Sequence, residues 1–176
     1  MIRENLITVT QGDYRVSAKS NDVFTTVLGS CVSVCLFDPK SRVGGMNHFL
    51  LPRESNARST DCIKYGTNAM EVLINKILQM GGRKQNLQAK LFGGASLVSN
   101  LGNIGEKNIV FAREFLDAES IECIAESLGG TNARRLRFAP TSGKAKLLVI
   151  PSDEVIETEV QVPPRPAMQP ADITMF

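Results

Sequence analysis

Apolar and small polar side chains nearly alternate along Val32-Ser33-Val34-Cys35-Leu36-Phe37, and a second apolar run, Gly44-Gly45-Met46-Asn47-His48-Phe49-Leu50-Leu51, answers it. Between them lies Asp38-Pro39-Lys40-Ser41-Arg42-Val43, a turn-type stretch with an early proline and glycines after it, so the two runs predict an antiparallel hairpin. Alternation puts Cys31, Ser33, Cys35 and Phe37 on one face of the first strand and Val32, Val34 and Leu36 on the other. With the turn centred between Lys40 and Ser41, Ser33 stands opposite His48 and Cys31 lies diagonal to it. Diagonal neighbours are roughly 7–8 Å apart at the backbone, a gap that a ring side chain can close. A slip of one residue would send His48 to the wrong face.

The same period-two signal predicts short strands at Ile7–Val9, Tyr14–Ser17 and Val23–Leu28, with Gln11-Gly12-Asp13 as a turn. Arg53 to Asp61 is polar and aperiodic and predicts a surface loop beside Cys31. From about Tyr65 the period changes. Ala69, Val72, Leu73, Ile77 and Met80 fall at helical spacing, and Gly81-Gly82 supplies a stop. Lys90-Leu91-Phe92-Gly93-Gly94-Ala95 predicts a strand running into a glycine turn, without the GK[ST] ending that a phosphate-binding loop needs. Ile109, Ala112, Arg113 and Leu116 predict a second helix, with Asn108 as its cap. Strands are expected at Ile121–Ala125, Arg135–Ala139 and Lys146–Ile150, the last two joined by the turn Pro140-Thr141-Ser142-Gly143.

A chain of 176 residues is long enough for one domain with a sizeable core. The domain is expected over residues 1–150, followed by an acidic and proline-rich tail over 151–176, with Val162-Pro163-Pro164-Arg165-Pro166 extended. A net charge of +2 is too mild to imply a nucleic-acid partner. The one dense basic cluster, Arg134, Arg135 and Arg137, reads as a solvated strand face. The N-terminus lacks the apolar core of a signal peptide and no apolar run is long enough to span a bilayer, which predicts a cytoplasmic protein that inserts in no membrane. In that compartment Cys31, Cys35, Cys62 and Cys123 are expected as reduced thiols, and none of their spacings resembles a zinc site, so no metal or other cofactor is expected.

Cys31 follows Gly29-Ser30 at the mouth of the first strand, and His48 is the only histidine in the chain. If the protein does cysteine–histidine chemistry, His48 is its base. Taken singly, Cys31 would be read as an inert buried thiol and His48 as a core histidine bonded to backbone. Their shared face, taken with the family resemblance that follows, favours the catalytic reading.

Five segments, Leu28-Gly29-Ser30-Cys31-Val32, Gly44 to Pro52, Lys90 to Ala95, Ile104-Gly105-Glu106-Lys107-Asn108 and Leu128-Gly129-Gly130, resemble in order and spacing the motifs of the CheD family of chemoreceptor glutamine deamidases. The resemblance implies an α/β fold of the α+β sandwich type, with layered, mostly antiparallel strands flanked by helices in a single domain. It implies a protein-glutamine glutaminase with Cys31 as nucleophile and His48 as base. The third member of the family's site is a threonine six residues before the cysteine, which lands on Thr25. Thr26 follows directly, and since successive strand residues face opposite ways, only one of the two hydroxyls can reach the imidazole.

A glutamine amide is a poor electrophile, so its hydrolysis gains from passing through a covalent thioester. That route asks for a thiolate with its pKa lowered from about 8.5 by a nearby imidazolium or electropositive turn. It also asks for oxyanion donors, for which the backbone N–H groups of Ser30 and Cys31 are the candidates. The implied partners are the cytoplasmic helices of methyl-accepting chemotaxis receptors, and a CheC-type phosphatase. The competing expectation is a non-catalytic adaptor that binds receptors or such a phosphatase through the same surface.

Overall fold

The computed structural model describes residues 3–53, 59–97, 102–151 and 173–176. In chain order its elements are β1 (Asn5–Thr8), β2 (Tyr14–Ser17), β3 (Asp22–Leu28), β4 (Val32–Asp38), β5 (Val43–Asn47), α1 (Ser59–Gln79), β6 (Gln88–Gly93), α2 (Ile104–Ala118), β7 (Glu122–Leu128), β8 (Ala133–Ala139), β9 (Lys144–Ile150) and β10 (Ile173–Met175). They build two five-stranded sheets, ordered β1-β3-β8-β9-β10 and β2-β5-β4-β6-β7. Only the β1–β3 and β6–β7 pairs are parallel. The layered, mostly antiparallel α+β sandwich that the family resemblance implies is the architecture observed.

Two apolar layers hold it together, and β4 feeds both. Val32, Val34 and Leu36 pack with Met70, Leu73 and Ile77 of α1 and Ile109, Ala112 and Leu116 of α2. Cys31, Cys35 and Phe37 face the other way, against Phe24, Leu136, Phe138 and Leu147 of the opposing sheet. A strand covered on both faces reads as a largely apolar run, and all seven residues of β4 are buried, with Ser33 and Asp38 its polar members. Both helices therefore lie on the outer side of the second sheet, and the space between the sheets is filled by side chains from strands.

Several boundaries differ from expectation. α1 begins at Ser59, inside the expected loop, and Cys62 lies in its first turn, with Sγ donating to the Pro52 carbonyl at 3.2 Å. Residues 54–58 of the expected loop lie outside the described residues. α2 starts at Ile104, one turn before Asn108, which is an interior helical residue and caps nothing. The expected tail also does not end free: β10 pairs antiparallel with β9, and the Phe176 ring packs edge-on against Phe92, centroids 5.4 Å apart. Apolar residues at the very end of a polar segment, Ile173 to Phe176, are the signal for that return. The proline-rich stretch lies outside the described residues.

The basic cluster is split by strand alternation. Arg134 turns inward, 8 % exposed, and donates to Ser127 Oγ and to the carbonyls of Gly129 and Asn132, whereas Arg135 and Arg137 are half-buried on the other face. Only the latter pair fits the expectation of a solvated face.

Candidate active site

The β4–β5 hairpin pairs Cys35 with Met46, Leu36 with Gly45, Phe37 with Gly44 and Asp38 with Val43, and the bridge Val32–Phe49 continues the same register. The turn centre falls between Lys40 and Ser41, as expected, so Ser33 and His48 occupy opposed positions and Cys31 is diagonal to His48. Asp38 fixes this register. Its fully buried carboxylate accepts the N–H groups of Lys40 (2.8 Å), Ser41 (3.1 Å) and Arg83 (2.9 Å) and the amide of Asn86 (3.3 Å). Burial pushes its pKa up, but the backbone donors outweigh it and hold the carboxyl down at about 2.

His48 is 7 % exposed and is clamped by the turn between β1 and β2. Its N–H donates to Asp13 O (3.1 Å) and its carbonyl accepts from Gly12 N–H (2.7 Å). On the ring, Nδ1 lies 2.9 Å from Thr26 Oγ1 and 3.3 Å from Val9 O, while Thr26 Oγ1 donates its own hydrogen to Val9 O at 2.8 Å. The single hydroxyl hydrogen is thus committed to Val9, and a carbonyl can only accept, so the hydrogen-bond network assigns the ring proton to Nδ1. Nε2 is left with its lone pair, the form a general base needs. Burial lowers the His48 pKa, with the Val9 carbonyl working weakly against it.

The threonine that reaches the ring is therefore Thr26 and not Thr25. In β3, Phe24, Thr26 and Leu28 point into the space between the sheets, and Thr25 points to the opposite face, where its hydroxyl donates to Leu136 O at 3.0 Å. Counting back from Cys31 cannot settle this, because Gly29 to Cys31 form an irregular connection whose course determines which face each β3 residue presents.

That connection is held by its carbonyls. Gly29 O accepts from Ala95 N (2.9 Å), Ser30 O from Asn108 Nδ2 (2.8 Å), and Cys31 O from Gly94 N (2.8 Å). In each trans peptide the N–H points away from the C=O, so the N–H groups of Ser30 and Cys31 face away from these donors. Neither makes a hydrogen bond to another residue among the described residues. Such close approach needs bare backbone: Gly93 has φ +112° and a Cβ there would strike the Cys31 carbonyl, while a Cβ on Gly105 would lie 2.8 Å from Ala95 O.

Cys31 Sγ donates to the side-chain carbonyl of the exposed Gln11 at 3.5 Å. Burial pushes the thiol up to about 11, opposed only in part by its own backbone N–H. The shift runs opposite to the lowered thiol pKa expected from the sequence. Burial therefore favours the neutral form of the thiol and of the imidazole alike. Sequence reading missed Gln11, which looked like an ordinary turn residue, and Asn108; the Gln-Gly-Asp turn between two strands was the available signal for the first. Cys35 is fully buried in the intersheet core and Cys123 is exposed on β7. An open cleft of about 200 Å³, lined by Leu51, Pro52, Arg53, Asn103, Ile104 and Lys107, adjoins the site where the chain leaves His48 and α2 begins.

A family model described as CheD chemotactic sensory transduction matches residues 50–148. A protein of Caulobacter vibrioides named probable chemoreceptor glutamine deamidase CheD is 45% identical over 171 residues, covering 96% of this chain and 91% of its own length. The chain belongs to the CheD family. CheD proteins of the same printed name from Cereibacter sphaeroides (48% identical, 87% of this chain and 76% of its own) and Agrobacterium fabrum (43%, 96% and 94%) are similarly close. A solved structure of protein YfiH from Bacillus licheniformis covers 73% of this chain and 61% of its own with a TM-score of 0.46 and 16% identity. The segments that resemble CheD motifs are the ones that meet in space: Gly29–Cys31, Gly93–Ala95 and Gly105–Asn108 contact one another through backbone and a single carboxamide.

Proposed function

We propose that the chain hydrolyses the side-chain amides of glutamines on chemoreceptors to glutamates, in chemotactic adaptation, through a thioester on Cys31. The observation that carries this reading is the hydrogen-bonding of His48, which fixes Nδ1–H on Thr26 and Val9 and leaves Nε2 basic on the face it shares with Cys31.

Cys31 Sγ attacks the amide carbon while its proton passes to His48 Nε2, so the neutral resting pair is the competent one. The carbonyl π pair moves onto oxygen, and the N–H groups of Ser30 and Cys31 hold that oxyanion. As the intermediate collapses, the C–N bond breaks and His48 returns the proton to the departing ammonia. A water molecule, deprotonated by His48, then attacks the thioester carbon; the C–S bond breaks, the imidazolium returns its proton to sulfur, and the free thiol and a glutamate result. Thr26 holds the imidazole in the required tautomer and stabilises the imidazolium formed in passing, a role that carboxylates fill in other triads.

Gln11 supports the substrate class: a glutamine carboxamide already rests against Sγ, and its exposed side chain can be displaced by one from a receptor. A non-catalytic adaptor, for receptors or a CheC-type phosphatase, has no use for a buried histidine held in one tautomer or for backbone amides beside a thiol that bond to no other described residue. The test is mass spectrometry of a receptor fragment incubated with the protein and with Cys31→Ala. Conversion of glutamine to glutamate by the first and not the second is expected; fragment binding without conversion by either would leave the adaptor.

A further inference from the structure

We propose that Asn108 is a positioning residue for catalysis, holding the Ser30–Cys31 peptide so that the Cys31 N–H faces the oxyanion. It sits on the buried face of α2 with Ile109, Ala112 and Leu116 and is fully buried. An apolar side chain would fill that site without desolvating an amide, so a carboxamide there is tolerable only with both of its ends bonded. Both are, and neither to its own helix. Nδ2 donates to Ser30 O at 2.8 Å and Oδ1 accepts Leu51 N–H at 3.0 Å. One side chain thus ties the nucleophile's turn to the segment three residues beyond His48.

The first bond sets direction. Ser30 O is drawn toward α2, so the N–H of the same peptide, that of Cys31, points to the intersheet side, where the Cys31 side chain packs. A donor preorganised beside the nucleophile stabilises the tetrahedral oxyanion without reorganising during reaction. Asn108 touches no reacting atom. It acts by preventing the peptide from rotating.

The inference rests on the deamidase reading, and its test separates the two. Asn108→Asp keeps size and the acceptor for Leu51 but loses the donor to Ser30; Asn108→Leu fills the space with no bond; Leu116→Val loosens the same helix two turns away. Each full-length protein is assayed for kcat and KM on a receptor fragment. Each is also titrated with a receptor-sequence peptide bearing glutamate semialdehyde in place of glutamine. The Cys31 thiol adds across that aldehyde, forming an S–C bond, with the thiol proton ending on oxygen, so the adduct mimics the tetrahedral intermediate without needing turnover.

In both Asn108 variants kcat should fall by about tenfold or more with KM nearly unchanged, and aldehyde affinity should fall in parallel. Leu116→Val should lower the melting temperature with kcat and aldehyde affinity within about twofold of the parent. Parent-like kcat and aldehyde affinity in the Asn108 variants, or losses matched by Leu116→Val at equal destabilisation, would overturn the inference. Aldehyde affinity that depends on Asn108 in a parent that hydrolyses no glutamine would retain it and overturn the deamidase reading instead.

Discussion

Thr26 Oγ1 stands 2.9 Å from His48 Nδ1 and passes its own hydrogen to Val9 O, so one hydroxyl both accepts from the imidazole and is itself held in place. Thr26→Val removes that acceptor while keeping the shape. A hydrogen bond to a group that becomes charged is worth roughly 1.5–3 kcal/mol, so kcat for receptor-fragment deamidation should fall about ten- to a hundredfold with KM little changed. Thr25→Val loses only the bond to Leu136 O on the other face, and should cost at most about 1 kcal/mol of stability and no activity. Single-turnover rates of the two variants decide between the adjacent hydroxyls, and a defect in Thr25→Val alone would return the role to Thr25.

The neutral resting pair has a signature in pH. Burial holds the His48 pKa below its usual 6.5 and pushes the Cys31 thiol up to about 11. kcat/KM should therefore rise with a midpoint below 6.5, as the imidazole loses its proton, and stay flat through pH 7 to 9. A thiolate–imidazolium pair would instead give activity that declines as the imidazolium titrates in the neutral to alkaline range.

Thiol labelling reads the same chemistry by another route. At neutral pH and limiting iodoacetamide, Cys123, exposed on β7, should be alkylated before Cys31, and fully buried Cys35 last. Gln11→Ala uncovers Sγ and should speed labelling of Cys31. Peptide mapping that finds Cys31 labelled first in the parent protein would mean that an activated thiolate is present after all.

Asp38 predicts the acid limb of stability. Its folded pKa, about 2, lies below the ordinary 3.8, so its contribution is complete above pH 4 and lost as pH falls through 2. The difference is worth about 2 kcal/mol. Asp38→Asn should remove most of that slope, measured by urea unfolding at pH 2 to 5, because an amide offers the turn's N–H donors a single uncharged acceptor. An unchanged slope would place the titration elsewhere.

Much of this protein is determined by local pattern. Alternation and the Asp38 to Val43 turn are enough to set the hairpin register, since a slip of one residue would send His48 to the other face, and that register puts His48 diagonal to Cys31 on one face. The long apolar stripe from Ala69 to Ile77 likewise specifies α1. Which hydroxyl meets the imidazole was not local: it depends on how the irregular Gly29–Cys31 connection leaves β3, a path fixed by Ala95, Asn108 and Gly94, residues 63 to 78 positions away. Asn108 looked like a helix cap because asparagine is favoured there, and only packing of α2 against the nucleophile's turn gave its carboxamide two distant backbone partners. The upward shift of the thiol pKa is likewise a matter of tertiary packing. A glycine turn suggests an electropositive site, but two sheets closing over it remove the water that a thiolate would need.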